Sequence, residues 1–318
     1  MKSIDEKIAD SEAEWHRYRY DYIGVRESGK AFCAALKRSA GKNLRRIFCT
    51  AYAGAVKKTF RTSYDKNRIN IVVSLTSTGS RISNIMPALN SLISQSRKPD
   101  LIILWLGKDE SYPAQMIKKI RKKGITIRFR EDLGPHTKYY HAFREYKNDL
   151  IITVDDDIIY HKKMVEELYS TYLRHKGCVI ARRVNRMRFD HSRKLLRYTD
   201  WIWEYRDAKA PAYDLLATGV GGILYPPKIL KLKCWENKDF LNVCPWADDI
   251  WLKFCELSAD IKIKAVHNSR YALDVINKAC QKSSLSAENV DKGKNDEQID
   301  SCIGYFDMGT DLCERVLS

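Results

Sequence analysis

The sequence predicts an open, mostly parallel α/β sheet flanked by helices, with a helical, basic extension at the N-terminal end. Three observations carry this. Short apolar runs of strand length alternate with helical stretches from residue 70 onward. Residues 1–66 contain no strand-like run and are rich in Lys and Arg. One apolar run, 150–154, ends in three consecutive aspartates, at the strand end where sheets of this kind bind ligands.

Each element follows from its local pattern. Across 25–61 the only acid is Glu27, against ten Lys and Arg. Leu44, Ile47, Phe48, Ala51, Tyr52, Ala55, Val56 and Phe60 recur there at helical spacing. Such a helix either lays its apolar face on the domain behind it or rests on an anionic membrane surface. Strands are expected at 70–75 (NIVVSL), 101–106 (LIILWL), 125–129 (ITIRF), 150–154, 178–182 and 261–266, with a glycine-rich loop at 219–222 feeding another short strand. Helices are expected at 82–94, 114–123, 141–146, 162–175 and 247–257. Residues 281–300 are polar and charged and read as a loop. The chain thus divides into a basic segment (1–66), an α/β domain (67–280) and a tail (281–318) that packs on or caps that domain.

The net charge of +16 favours an anionic partner: nucleic acid, an anionic lipid surface or a phosphorylated small molecule. No RRM, KH or zinc-finger pattern occurs, and the densest basic stretch lies outside the α/β unit, so nucleic acid is not the expected partner. The nine cysteines include no C-x-x-C pair and read as reduced thiols. The start, MKSIDEKIAD, lacks the apolar core of a signal peptide, and the longest strongly apolar stretch, 101–106, is far short of a membrane span. The expectation is a cytoplasmic protein, either soluble or peripheral on the inner face of the membrane.

Asp155, Asp156 and Asp157 repel one another, and burying them unpaired is costly. A hard divalent cation, Mg²⁺ or Mn²⁺, resolves that cost, because such ions take one or two carboxylates together with substrate phosphates. On an extended segment Asp155 and Asp157 point to the same side. One would then hold the metal, and the other a metal-bound water or a ribose hydroxyl. The alternative is a solvated acidic turn.

The segment TVDDDIIY resembles the D-x-D motif of bacterial glycosyltransferases with the GT-A fold. Upstream, Asp132-Leu133-Gly134-Pro135-His136-Thr137-Lys138 resembles their D-x-G-P-x-T-K segment. Downstream, Pro245-Trp246-Ala247-Asp248-Asp249 resembles their acidic E-D motif, with Asp248 in place of the usual glutamate. The strand end INIVVSLTSTGSR departs from the proline-containing one of family 2. The resemblance covers about 70–266 and implies a GT-A-like sheet and an inverting, metal-dependent transfer of sugar from a nucleotide-sugar. A UDP-sugar is the first choice of donor. The acceptor would be a glycan or a lipid-linked glycan of a bacterial surface polysaccharide.

The residue types suit that chemistry, in which negative charge grows on a diphosphate leaving group. Asp155 and Asp157 are the candidate metal ligands, and His267, after a late strand, either completes the site or is structural. Thr76, Arg81, Asp132, Lys138, Asp155 and Asp156 are the candidate donor contacts. Lys138 either places a charge near the phosphates or is a solvated helix lysine. Asp132 either meets the base or ribose or caps a turn. The resemblance makes Asp249 the general base, with Asp248 beside it; otherwise the pair only caps a helix. Trp201, Trp203, Trp246 and Trp251 form either a platform for sugar rings or core, with Trp246 the first candidate for acceptor contact. TSTGSRISNIMP is similar to the first loop of nucleotidyltransferases, but lacks that loop's further glycines and its lysine after a proline.

Overall fold

The computed structural model describes residues 2–23, 58–227, 236–267, 275–276 and 293–318. The strands are β1 (Ile71–Thr76), β2 (Leu101–Gly107), β3 (Thr126–Arg130), β4 (Leu150–Thr153), β5 (Ile158–Ile159), β6 (Val179–Ala181), β7 (Val184–Arg186), β8 (Leu215–Ala217), β9 (Ile223–Tyr225), β10 (Ile263–Ala265) and β11 (Val275–Ile276). The helices are α1 (Ile4–Ile23), α2 (Met86–Ile93), α3 (Ala114–Lys122), α4 (Thr137–Glu145), α5 (Met164–Arg174), α6 (Phe240–Val243), α7 (Asp248–Ser258), α8 (Lys294–Tyr305) and α9 (Leu312–Leu317).

Seven strands form the main sheet in the order β10-β6-β9-β4-β1-β2-β3. Only β9 runs against its neighbours β4 and β6. The chain leaves β1, steps outward to β2 and β3, then returns to lay β4 on the other side of β1. The carboxyl ends of β1 and β4 therefore sit side by side at a topological switch point, where α/β sheets open a crevice.

Both faces are covered at β1, β2 and β4, which is why these strands read as nearly unbroken apolar runs, whereas the edge strand β3 is partly exposed. Alternate side chains feed two core layers. Val72, Ile103, Trp105 and Ile151 face a layer shared with Tyr139 and Phe143 of α4 and with Trp251 and Phe254 of α7. Val73, Leu75, Ile102, Leu104 and Ile152 face the other, shared with Leu89 of α2, Ile120 of α3 and Val165 of α5.

Three expected elements change shape. The helix read at 82–94 is a short 3₁₀ turn, Ile82–Asn84, followed by α2. Pro87 explains the break: without an N–H it fits the first helical turn but not a helix interior. The helix read at 141–146 begins at Thr137. Residues 294–300, read as loop, form the first half of α8, which buries Ile299 and Cys302; residues 281–292 lie outside the described residues.

Most of the basic helix expected at 44–60 also lies outside the described residues. Phe60 is buried in the layer that holds Ile120 and Ile125. The Phe60 N–H donates to the Lys123 carbonyl at 2.7 Å. Gly124 makes this approach possible: its φ is +84°, and a Cβ there would lie 1.9 Å from the Phe60 carbonyl oxygen. At the other end, Lys7 of α1 donates to the Leu317 carbonyl, and Arg193 joins Asp5 to Glu314. Trp201 and Trp251 are core, while Trp203 and Trp246 are exposed. Among the described residues, no helix is long and apolar enough to cross a membrane.

Candidate active site

The three aspartates occupy the turn between β4 and β5, not an extended segment. In a turn successive side chains diverge, so Asp155 pairs apart from Asp156 and Asp157. Asp156 points inward. It accepts from Ser77 Oγ at 2.6 Å, just past the end of β1, and from Arg81 Nε at 3.1 Å. The same guanidinium reaches Asp157 at 3.2 Å. Asp155 turns the other way and pairs with Lys138 Nζ at 2.8 Å. The repulsion read in the sequence is thus partly relieved by Arg81 and Lys138.

Lys138 is buried in the first turns of α4 and also meets Asp248 Oδ2 at 3.0 Å. One ammonium therefore ties the β4 end to the head of α7. Burial works against its charge, but Asp155 and Asp248 outweigh that and hold its pKa above the usual lysine value. The backbone around Lys138 is fixed too: its carbonyl accepts from Ser74 Oγ of β1, which in turn accepts from Trp105 Nε1 at 2.8 Å. Gly219 leaves room for the ion pair, since a Cβ there would lie 3.2 Å from both Asp155 Oδ1 and Lys138 Nζ.

His136 braces the same corner. It is fully buried, stacks on Phe240 at 4.4 Å, and its ring nitrogens contact the Tyr139 hydroxyl at 2.9 Å and the Cys244 carbonyl at 2.8 Å. Burial lowers its pKa to about 3, so it is neutral at physiological pH. It links the turn before α4 to the loop that presents Asp248 and Asp249.

Charge at the site is unbalanced. Five carboxylates, Asp155, Asp156, Asp157, Asp248 and Asp249, share it with two cations in direct contact, Arg81 and Lys138. Burial, then the charges of Asp155 and Asp156, push the Asp157 carboxyl up to about 6 against the pull of Arg81. Burial and the neighbouring Asp248 raise Asp249 above the usual carboxylate range. Asp248 is also raised by burial, with Lys138 opposing. Asp249 Oδ1 accepts from the Ile250 N–H at 3.0 Å. Burial, then the charge of Asp249, also raise the phenol of Tyr198, so that ring neighbours the acid pair.

The excess of hard oxygen donors suits a divalent cation. Among the described residues no three His, Cys, Asp or Glu side chains converge as a metal-binding group. A magnesium- or manganese-type ion is commonly held by one or two carboxylates and completed by substrate phosphate oxygens. Asp155 and Asp157 could supply the protein's share.

The remaining candidates fall elsewhere. His267 is exposed, two residues past β10, and is not gathered with the aspartates. Thr76 spends its hydroxyl on the Trp105 carbonyl at 3.1 Å. Asp132 is exposed and accepts from the Gly134 N–H at 3.0 Å and Thr137 Oγ1 at 3.1 Å, a local turn cap. Trp246 is half exposed beside the acid pair, and its N–H is held by Gln298 of α8. Ser77, His136 and Gly219 were not among the expected site residues. All three stand in segments the sequence did mark, TSTGSR, the segment 132–138 and the glycine-rich loop, but their partners Asp156, Cys244 and the Asp155–Lys138 pair lie far away along the chain.

Residues 77–226 match the family described as Glycosyl transferase family 2. The match covers the aspartate turn and Lys138 and stops before Asp248. No curated protein matches the chain in sequence. Similar solved structures include a mannosyltransferase from Pyrobaculum calidifontis in complex with GDP-Man and Mn²⁺, at 10% identity over 96% of this chain and 84% of that one, with a TM-score of 0.45. Glucosyl-3-phosphoglycerate synthase from Mycobacterium tuberculosis, with Mn²⁺, UDP and glucosyl-3-phosphoglycerate, matches at 16% identity over 38% of this chain and 49% of that one, with a TM-score of 0.30. The CTP complex of CMP:2-keto-3-deoxy-manno-octonic acid synthetase matches at 11% identity over 70% and 99%, with a TM-score of 0.43. At these TM-scores the likenesses carry no argument. Residues 77–226, just under half of the chain, thus match Glycosyl transferase family 2, and they lie on a mostly parallel, mixed seven-stranded sheet.

Proposed function

We propose that the protein is an inverting, metal-dependent glycosyltransferase that moves a sugar from a nucleotide-sugar, a UDP-sugar first, to a glycan or lipid-linked acceptor in bacterial surface polysaccharide synthesis. The observation that carries this reading is the Lys138 bridge, which holds the aspartate turn and the acid pair of α7 in one site, at 2.8 and 3.0 Å. A site of this kind serves both halves of a displacement. Asp155 and Asp157 face the donor diphosphate, and Asp249 faces the acceptor.

Asp155 and Asp157 would hold Mn²⁺ or Mg²⁺, which when bound stabilises the charge that grows on the departing diphosphate. Arg81, anchored by Asp156 and Asp157, stands beside the same phosphates and presents a forked set of donors. Asp156 acts through Arg81 and Ser77 by fixing the turn. Asp249, with its raised pKa, takes the proton of the acceptor hydroxyl as that oxygen attacks the anomeric carbon. Lys138 occupies Asp248 in an ion pair, which leaves Asp249 as the base. A single in-line displacement inverts the anomeric centre.

A panel of nucleotide-sugars assayed with Mn²⁺ tests this. The expected result is turnover of one donor, loss of turnover in chelator, and a product of inverted configuration by NMR. A product of retained configuration would contradict the mechanism. Release of pyrophosphate from a nucleoside triphosphate and a sugar phosphate, without turnover of any nucleotide-sugar, would replace it with nucleotidyl transfer.

A further inference from the structure

Helix α3 has two unlike faces. Met116, Ile117 and Ile120 turn toward the core. Gln115, Lys118, Lys119 and Lys122, at spacings of three, four and seven, share an outward face. Together with Thr59 and Lys123 they line a cavity of about 500 Å³. Lys118, Lys119, Arg121 and Lys122 are exposed, and none forms an ion pair with a described carboxylate. The patch continues past the helix end. Lys123 Nζ donates to the Lys58 carbonyl at 3.1 Å, and burial, then the charge of Lys58, lower the pKa of the nearby Lys98. The fold therefore crowds like charges together here, which is unfavourable for the protein alone and favourable beside an anion.

Residue 58 is also where a long basic stretch of the sequence, 25–61 with ten Lys and Arg against one acid, joins the described fold. The lysine face of α3 and that stretch thus meet at one place on the surface. The patch lies toward the end of α3, where the chain is about to enter β3, whereas the carboxylates lie past the carboxyl ends of β1 and β4 and at the head of α7.

We propose that the lysine face of α3, with residues 58–59, is the docking surface for an anionic phospholipid bilayer. The partner is a lipid surface and not a nucleic acid because the adjoining basic stretch also carries Leu44, Ile47, Phe48, Ala51, Tyr52, Ala55 and Val56 at helical spacing, the pattern of a chain that inserts apolar side chains between headgroups. Nucleic acid offers nothing for those side chains. Each cation near an acidic bilayer contributes a few-fold to partition, and the attraction fades within a Debye length.

The test uses the full chain and sedimentation with vesicles of phosphatidylglycerol and phosphatidylcholine, compared with phosphatidylcholine alone. Binding only to the acidic vesicles, falling steeply with salt, is expected. The triple variant Lys118→Gln, Lys119→Gln, Lys122→Gln should lower the partition coefficient on the order of 100-fold, with unchanged donor turnover in solution. Asp249→Asn should bind vesicles like the unaltered protein, so a failure of the catalytic reading would not be mistaken for a failure of this one. Equal partition of the triple variant and the unaltered protein would overturn the proposal. So would a salt-sensitive mobility shift with RNA or DNA in the absence of any vesicle binding.

Discussion

Asp157 shows at single-residue scale how the site is held in tension. Burial and two neighbouring carboxylates raise its pKa to about 6, and Arg81 compensates only in part. The folded chain therefore holds that proton more tightly than the unfolded chain. The stability this contributes is fully present below the unfolded value of 3.8 and is lost as pH rises through about 6. In chelator, Asp157→Asn should consequently gain on the unaltered protein between pH 4 and pH 7, by on the order of 2 kcal/mol. Thermal denaturation at the two pH values measures this, and a difference that does not change with pH would contradict it. Mn²⁺ added at pH 7 should raise the Tm of the unaltered protein more than that of the variant. Equal shifts would remove Asp157 from the cation site.

At the scale of elements, the turn from α3 to β3 fixes the sheet edge to the chain entering at residue 58. Gly124 adopts a left-handed φ with the Phe60 carbonyl pressed against it. Gly124→Ala combines an unfavourable φ with a clash against backbone, and should cost more than about 1 kcal/mol in urea denaturation. A variant as stable as the original would mean that the contact between residues 60 and 123–124 is dispensable. Strands β1, β2 and β4 were legible in sequence because burial on both faces leaves little polar alternation. Helix α4 was read four residues late for the opposite reason: Lys138 and His141 occupy buried positions of its first turns and interrupt the apolar period. Helix α8 was missed over 294–300 because its buried residues there are Asn295, Gln298 and Ile299, of which only one is apolar.

At the scale of the whole molecule, the sequence placed Asp155, Asp157, Lys138 and the acid pair in motifs, but not their contacts. Ser77 and Asp156 are 79 residues apart along the chain and 2.6 Å apart in the fold. Lys138 and Asp248 are likewise distant in sequence and joined at 3.0 Å. Both meetings depend on β4 returning to the side of β1, which no local pattern encodes. For the same reason His267 looked like a late ligand in sequence but stands exposed past β10, and Asp132 is engaged by its own turn. The central claim is that this topology sets a base on α7 against a donor held at the ends of β1 and β4. Asp249→Asn, assayed for donor affinity and for turnover on the same preparation, tests it most directly. Donor and Mn²⁺ affinity should be unchanged, while kcat falls by roughly two to four orders of magnitude and loses its dependence on a group titrating above the usual carboxylate range. An Asp249→Asn enzyme with undiminished kcat, or one whose loss lies wholly in donor binding, would contradict the claim.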